Sequence, residues 1–219
     1  MHHVSMPRTT SGSATEQAYR HVKSLVLDGS LPGGSMTSEG EIAEQLGVSR
    51  TPVREAFLRL ETEGLLRLYP KRGALVVPVA PGEADEVLDA RLLVETHAAQ
   101  AVVRLPDAEL ATLVALLRDL VTAQEAAVAA GDVAEYAALD ARFHHEIVAA
   151  GGNGLLSTFF VSLRERQQRM VAHSVRWDPS RAATFVAGHR GLVDALEVRD
   201  TRTYKRRVQR HLEDARAGL

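Results

Sequence analysis

A chain of 219 residues, 45% hydrophobic and 25% charged, has the composition of one ordinary folded domain or two small ones. Its 26 Lys and Arg nearly balance 28 Asp and Glu, which excludes a strongly basic nucleic-acid binder or an acidic tail at the level of the whole chain, so any basic surface is local. The absence of cysteine excludes a disulfide framework, a cysteine-based zinc site and a cysteine nucleophile, and leaves nine histidines as the carriers of metal or proton chemistry.

Residues 1–13 are polar and rich in Ser and Thr, a composition expected of a disordered tail. The start Met1-His2-His3-Val4 opens no signal peptide, and no apolar run approaches the roughly 20 residues that span a bilayer, so a cytoplasmic protein without a membrane partner is expected. A first helix is predicted over residues 15–28 from the helical spacing of Ala18, Val22, Leu25 and Val26. Leu31-Pro-Gly-Gly-Ser35 follows as a turn.

Ser38 and Glu41 have capping-box spacing ahead of the apolar Ile42, Ala43 and Leu46, which predicts a short helix over 39–46 that stops at Gly47. Ser49 is placed to cap a third helix, with Pro52 in the first turn, where its missing N–H costs no intrahelical bond. Val53, Phe57, Leu60 and Gly64 are assigned to one face of that helix; Arg50, Thr51 and Arg54 take the other. Two helices joined by a tight turn, the second with basic and hydroxyl side chains near its N-terminus, form the geometry that enters a DNA major groove. Leu65–Tyr69 and Ala74–Val77 then bracket Pro70-Lys71-Arg72-Gly73, a predicted hairpin with a basic tip, hence a wing. Through Val77, nine Lys and Arg stand against eight acids, and the remainder carries seventeen against twenty, so the charge asymmetry favours nucleic acid at the N-terminal end.

Residues 78–82 (PVAPG) read as a linker. Beyond it Ala, Leu and Val recur at helical spacing, and six helices are predicted over about 82–104, 106–130, 132–150, 153–176, 179–198 and 200–216, each ended by a Pro, Gly, Asn or Asp. The fold class is therefore mainly α: a winged helix-turn-helix over residues 14–77 followed by a six-helix antiparallel bundle over 83–219. Asp140 and His144 lie four apart and share one helix face, while His189 and His211 stand on the last two helices among apolar residues. Together they would suit zinc, nickel, manganese or iron with coordination positions left open. Arg91, projecting into an apolar bundle, needs an anionic partner: either Glu95, one helical turn on, or an anionic ligand.

The run from Leu31-Pro-Gly-Gly through Glu41-Ile-Ala-Glu-Gln-Leu-Gly-Val-Ser-Arg-Thr-Pro-Val-Arg-Glu-Ala56, with Glu63-Gly-Leu-Leu and Arg72-Gly-Ala74, resembles the winged helix-turn-helix of GntR-family transcription regulators. The resemblance implies that Arg50, Thr51 and Arg54 contact double-stranded DNA and that the tip Lys71-Arg72-Gly73 reaches the minor groove. Gly40 stands where many members carry a phosphate-contacting Arg or Lys, and Leu58 where a polar residue is commoner.

Asp140, His144, His189 and His211, with Asp89-x-Arg91-x-x-x-Glu95, Phe143, Asn153 and Asp200, resemble in order and spacing the metal-binding FCD effector domain of the FadR subfamily, and six helices rather than seven resemble its VanR-type branch. Gly188 replaces a usual Glu there, and Tyr204 a small residue. The likeness implies one divalent ion, with zinc favoured, held by the quartet, a small carboxylate effector near Arg91, and a homodimeric repressor on a palindromic operator. His21, His97, His145 and His173 have no place in the quartet, and of these His97 is a candidate for the pocket.

Two other readings remain open. A metal-dependent hydrolase would need a base beside the metal water, but His145-Glu146 is not followed by the second His of an HExxH helix, and neither a Gly-x-Ser-x-Gly elbow nor a phosphate loop occurs. A structural metal in a constitutive DNA-binding protein is the third reading.

Overall fold

The computed structural model describes residues 13–217. The expected disordered tail falls, apart from Ser13, outside the described residues. Two compact units result, one made of Gly33–Val77 with the chain up to Val26, the other of Leu27–Pro32 with the chain from Pro78 onward.

In the first unit α1 (Ala14–Leu27), α2 (Glu39–Leu46) and α3 (Arg50–Thr62) bury Val22, Ile42, Val53, Phe57 and Leu60. The predicted capping box is present: Glu41 N–H donates to Ser38 Oγ at 3.2 Å, and Ser38 N–H donates to the Glu41 carboxylate at 2.8 Å. Ser49 sits at the N-cap of α3 but makes no capping hydrogen bond, and Gly64 lies beyond the end of that helix rather than on its face. Strand β1 (Met36–Thr37) was not foreseen, since two residues carry no period; it pairs antiparallel with β3 (Gly73–Val76), which pairs in turn with β2 (Leu66–Tyr69) in the order β1-β3-β2.

In the second unit the six predicted helices form at nearly the predicted bounds: α4 (Pro81–Val102), α5 (Asp107–Ala130), α6 (Val133–Ala150), α7 (Gly154–Trp177), α8 (Ser180–Glu197) and α9 (Thr201–Arg216). Their starts are set locally. The side chains of Asp132, Asn153 and Asp200 accept backbone N–H groups of the first turns of α6, α7 and α9, satisfying donors that have no intrahelical partner. Helix α6 packs on α4, α5 and α7, α8 packs on α5 and α9, and α9 returns to α4. This closes a core around Leu117, Phe143, Ile147, Phe160, Leu192 and Tyr204. The faces of α4, α6, α8 and α9 therefore converge, and the polar residues on them meet inside an apolar shell. Among the described residues no helix is long and apolar enough to cross a membrane.

Candidate metal centre and nucleic-acid interface

On α3 the apolar period turns Val53, Ala56, Phe57 and Leu60 inward, which leaves Arg50, Thr51, Arg54 and Leu58 exposed along the opposite side. Arg54 lies 3.9 Å from the Glu39 carboxylate, 72% of its side chain is exposed, and so it is free to leave that ion pair for a base or phosphate. Arg50 lies across Gly40, where even a Cβ would come within 3.3 Å of its guanidinium. The absence of a side chain at residue 40 thus gives Arg50 its place.

At the wing tip Arg72 N–H donates to the Tyr69 carbonyl at 3.0 Å, with Pro70 and Lys71 in the corner positions and Lys71 at a φ of 63°. Lys71 and Arg72 are exposed. Gly73 has a different task from the one expected: its φ is 96°, and a Cβ there would collide with the Thr37 carbonyl, so it lets β3 close on β1.

The quartet comes together in the bundle. One ligand atom from each of Asp140, His144, His189 and His211 lies within 4.8 Å of the other three, and all four side chains are buried. Burial, then mutual repulsion and the nearby Arg91 charge, holds His189 and His211 well below the usual imidazole range; burial and Arg91 do the same to His144. All three rings are therefore neutral at pH 7. His144 Nδ1 donates to Glu95 Oε2 at 2.8 Å, and His189 Nδ1 donates to Gln124 Oε1 at 2.7 Å, which turns the Nε2 lone pair of each ring inward.

Those two nitrogens stand 3.1 Å apart, and Asp140 Oδ1 is 3.3 Å from His189 Nε2. Three acceptors at hydrogen-bond distance with no proton to share repel one another, and a divalent cation between them removes that repulsion. Burial pushes the Asp140 carboxyl up to about 6, against the pull of Arg91 and of a 2.8 Å hydrogen bond from Gln167 Nε2. The donor set, three imidazoles and one carboxylate, each oriented by a neighbour where a partner is given, fits zinc or a similar divalent ion.

Arg91 has both partners that its sequence context allowed. Its Nε donates to Glu95 Oε1 at 2.9 Å, yet one terminal nitrogen, Nη2, is buried without a hydrogen-bond partner. A pocket of about 260 Å³, counting its open mouth, lies on this side of the cluster; Arg91, Gln167 and Ser174 are its polar walls. His97 is exposed and does not line it, which corrects its candidacy.

Glu95, Gln124 and Gln167 went unrecognised as partners of the cluster. Their only mark in the sequence is an uncharged or paired polar residue on an otherwise apolar helix face. Gly188, the departure from the usual Glu, also finds a reason, since a Cβ there would lie 2.8 Å from His211 Nδ1. Glu146 pairs with Arg142 at 3.2 Å instead of facing the cluster, which leaves the hydrolase reading without its base.

Comparison with known proteins agrees with both halves. Residues 14–76 match the family described as bacterial regulatory proteins, gntR family, and residues 86–214 match the FCD domain. An uncharacterized HTH-type transcriptional regulator from Streptomyces ambofaciens is 31% identical over 94% of this chain and 85% of its own. The gluconate operon transcriptional repressor of Bacillus subtilis is 28% identical over 69% of this chain and 60% of its own. The solved structure of E. coli McbR/YncC shares the fold, with a TM-score of 0.73 at 24% identity over 92% of this chain and 94% of that one.

Proposed function

Because the chain belongs to the GntR family of bacterial transcription regulators and carries an FCD domain, we propose that it is a metal-dependent, carboxylate-responsive repressor acting in the cytoplasm. Residues 14–77 form its DNA-binding domain and 83–219 its effector and dimerisation domain, joined by the linker 78–82. The observation that carries the metal and effector reading is the buried cluster of three converging acceptors beside the half-paired guanidinium of Arg91.

Asp140, His144, His189 and His211 would hold the divalent ion, with zinc favoured over nickel, manganese or iron; Glu95, Gln124 and Gln167 keep the ligand atoms aimed. When bound, such an ion supplies a Lewis-acidic position for a carboxylate oxygen. Arg91 supplies the second anchor, because its Nη2 gains a partner only when an anion enters. Arg50, Thr51 and Arg54 read bases in the major groove, while Lys71 and Arg72 carry the wing to the minor groove, positioned by the Gly73 turn. One such helix reads only a few base pairs, so a homodimer on a palindrome gives the required length of site.

The effector lowers operator affinity. By linkage, a tenfold loss of DNA affinity requires a tenfold loss of effector affinity for the DNA complex, a coupling of about 1.4 kcal/mol. The test is operator affinity of zinc-loaded protein with and without small carboxylates, in wild type, Arg91→Ala and Arg91→Lys. Breaking the buried pair with Glu95 would itself cost about 3 to 5 kcal/mol, so the lysine variant, which keeps the charge and loses the fork, separates folding from sensing. Both variants should bind operator and lose the response; a response at wild-type effector concentration removes Arg91 from the site.

A further inference from the structure

The pocket beside the metal cluster has a chemistry that narrows the effector, and this inference rests on the carboxylate-sensing reading above. Three buried polar atoms on its walls lack hydrogen-bond partners: Nη2 of Arg91, Oε1 of Gln167 and Oγ of Ser174. The first only donates, the second only accepts, and the third does either. Arg91 is 2% exposed, Gln167 1% and Ser174 2%, so none of these atoms is satisfied by an open surface. Everything else the walls offer is apolar, chiefly Leu88, Met170, Val171 and Phe185.

Charge limits the ligand further. The Arg91 guanidinium and the Glu95 carboxylate cancel at 2.9 Å, and Asp140 offsets one of the two charges that a divalent ion brings. A single positive charge is left for a ligand to neutralise inside a low-dielectric bundle, where a second or third carboxylate would be buried without a partner. The size points the same way, since about 260 Å³ lies below the roughly 300 Å³ at which pockets for drug-sized ligands begin.

We propose that this pocket selects a small monocarboxylate with a hydrogen-bond donor beside the carboxylate and a short apolar body, such as a 2-hydroxy acid with a branched aliphatic side chain. Arg91 Nη2 donates to the carboxylate. Gln167 Oε1 accepts from the hydroxyl, and Gln167 thereby joins the ligand to Asp140, which its Nε2 already holds at 2.8 Å. Met170, Val171, Leu88 and Phe185 enclose the side chain and leave further hydroxyl groups without partners, so polyhydroxylated acids are rejected by the cost of stripping their water.

The experiment is titration calorimetry of the zinc-loaded full-length protein with four acids: 2-hydroxy-3-methylbutanoate, 3-methylbutanoate, malate and gluconate. The first should bind at least tenfold more tightly than each of the others. In Val171→Thr and Met170→Gln, which touch neither the metal ligands nor Arg91, its advantage over gluconate should shrink at least tenfold. If gluconate or malate binds wild type as tightly, the ligand class is wrong while carboxylate sensing stands. If 3-methylbutanoate binds as tightly, the hydroxyl contact with Gln167 is wrong. If no acid binds protein that still takes up zinc and operator, the carboxylate reading fails and this proposal with it. Should either pocket variant fail to fold, the wild-type series decides alone.

Discussion

Replacing Gly188 by alanine should weaken metal binding without weakening the metal-free fold. A Cβ on residue 188 would sit 2.8 Å from His211 Nδ1, and ordinary contact begins at 3.4 Å, so the imidazole has to retreat by about 0.6 Å (3.4 − 2.8). It has little room to do so sideways. Its ring centre lies 4.6 Å from that of His189, 5.1 Å from that of His144 and 5.8 Å from that of Phe185. Metal–ligand distances tolerate about 0.2 Å, a third of that displacement, so His211 becomes a poor ligand.

The resulting loss should resemble that from removing a supporting partner of a ligand, about 10- to 100-fold in affinity, or about 1.4 to 2.7 kcal/mol. Alanine inside a helix is meanwhile favoured over glycine by about 0.5 to 1 kcal/mol, which offsets part of the clash in the metal-free protein. The assay is a competitive chelator titration with zinc, paired with thermal unfolding of the chelated protein. Wild-type zinc affinity in Gly188→Ala would show that His211 is not held against α8 when the ion is bound, and would refute the reasoning.

Three further outcomes follow from the same structure. Arg54→Ala should cost about 1 to 3 kcal/mol of operator affinity and relax base preference at one position, read by a salt-controlled titration over a set of operator variants; a uniform loss across all variants would make Arg54 a phosphate contact. A His144→Ala, His189→Ala double substitution should abolish stoichiometric metal, and equal metal content in variant and wild type would dismiss the quartet. Glu63 is held below the usual carboxylate range: partial burial raises it, but hydrogen bonds from Lys23 and Tyr19 outweigh this. A lowered acid contributes stability above its unfolded value, near 4.5, and loses it as the pH falls through the lower folded value. The stability difference between wild type and Glu63→Gln should therefore be full at pH 7 and vanish in strong acid, and a difference independent of pH would deny the ionic contribution.

Much of this architecture is written in short-range signals. The capping box at Ser38 and Glu41, the apolar period of α3 and the breaks at Pro106, Gly131, Asn153 and Asp200 each act within one or two helical turns, and the helices they predict are present within a few residues. The face of α3 that carries Arg50, Thr51 and Arg54 is legible for the same reason: burying Val53, Phe57 and Leu60 leaves the other side exposed. Asp140 and His144 share a face because they are four residues apart. That His189 and His211 join them was carried by resemblance in order and spacing, since nothing local connects residues 45 and 67 positions further on.

What only the tertiary structure decided lies between elements. Strand β1 exists because β3 offers it an edge, and Gly73 matters through its approach to Thr37 rather than through its place at the wing tip. Glu95 looked like the i+4 partner of Arg91 and nothing more; its second oxygen reaches His144 from another helix, 49 residues away in sequence. Gln124, Gln167 and Gly188 carry no periodic or motif signal at all, because an amide's hydrogen bond and a glycine's empty space take meaning only from the neighbour that packing brings to them. Composition and period can specify which side of a helix faces inward, but the partner across the core is set by how the helices pack against one another.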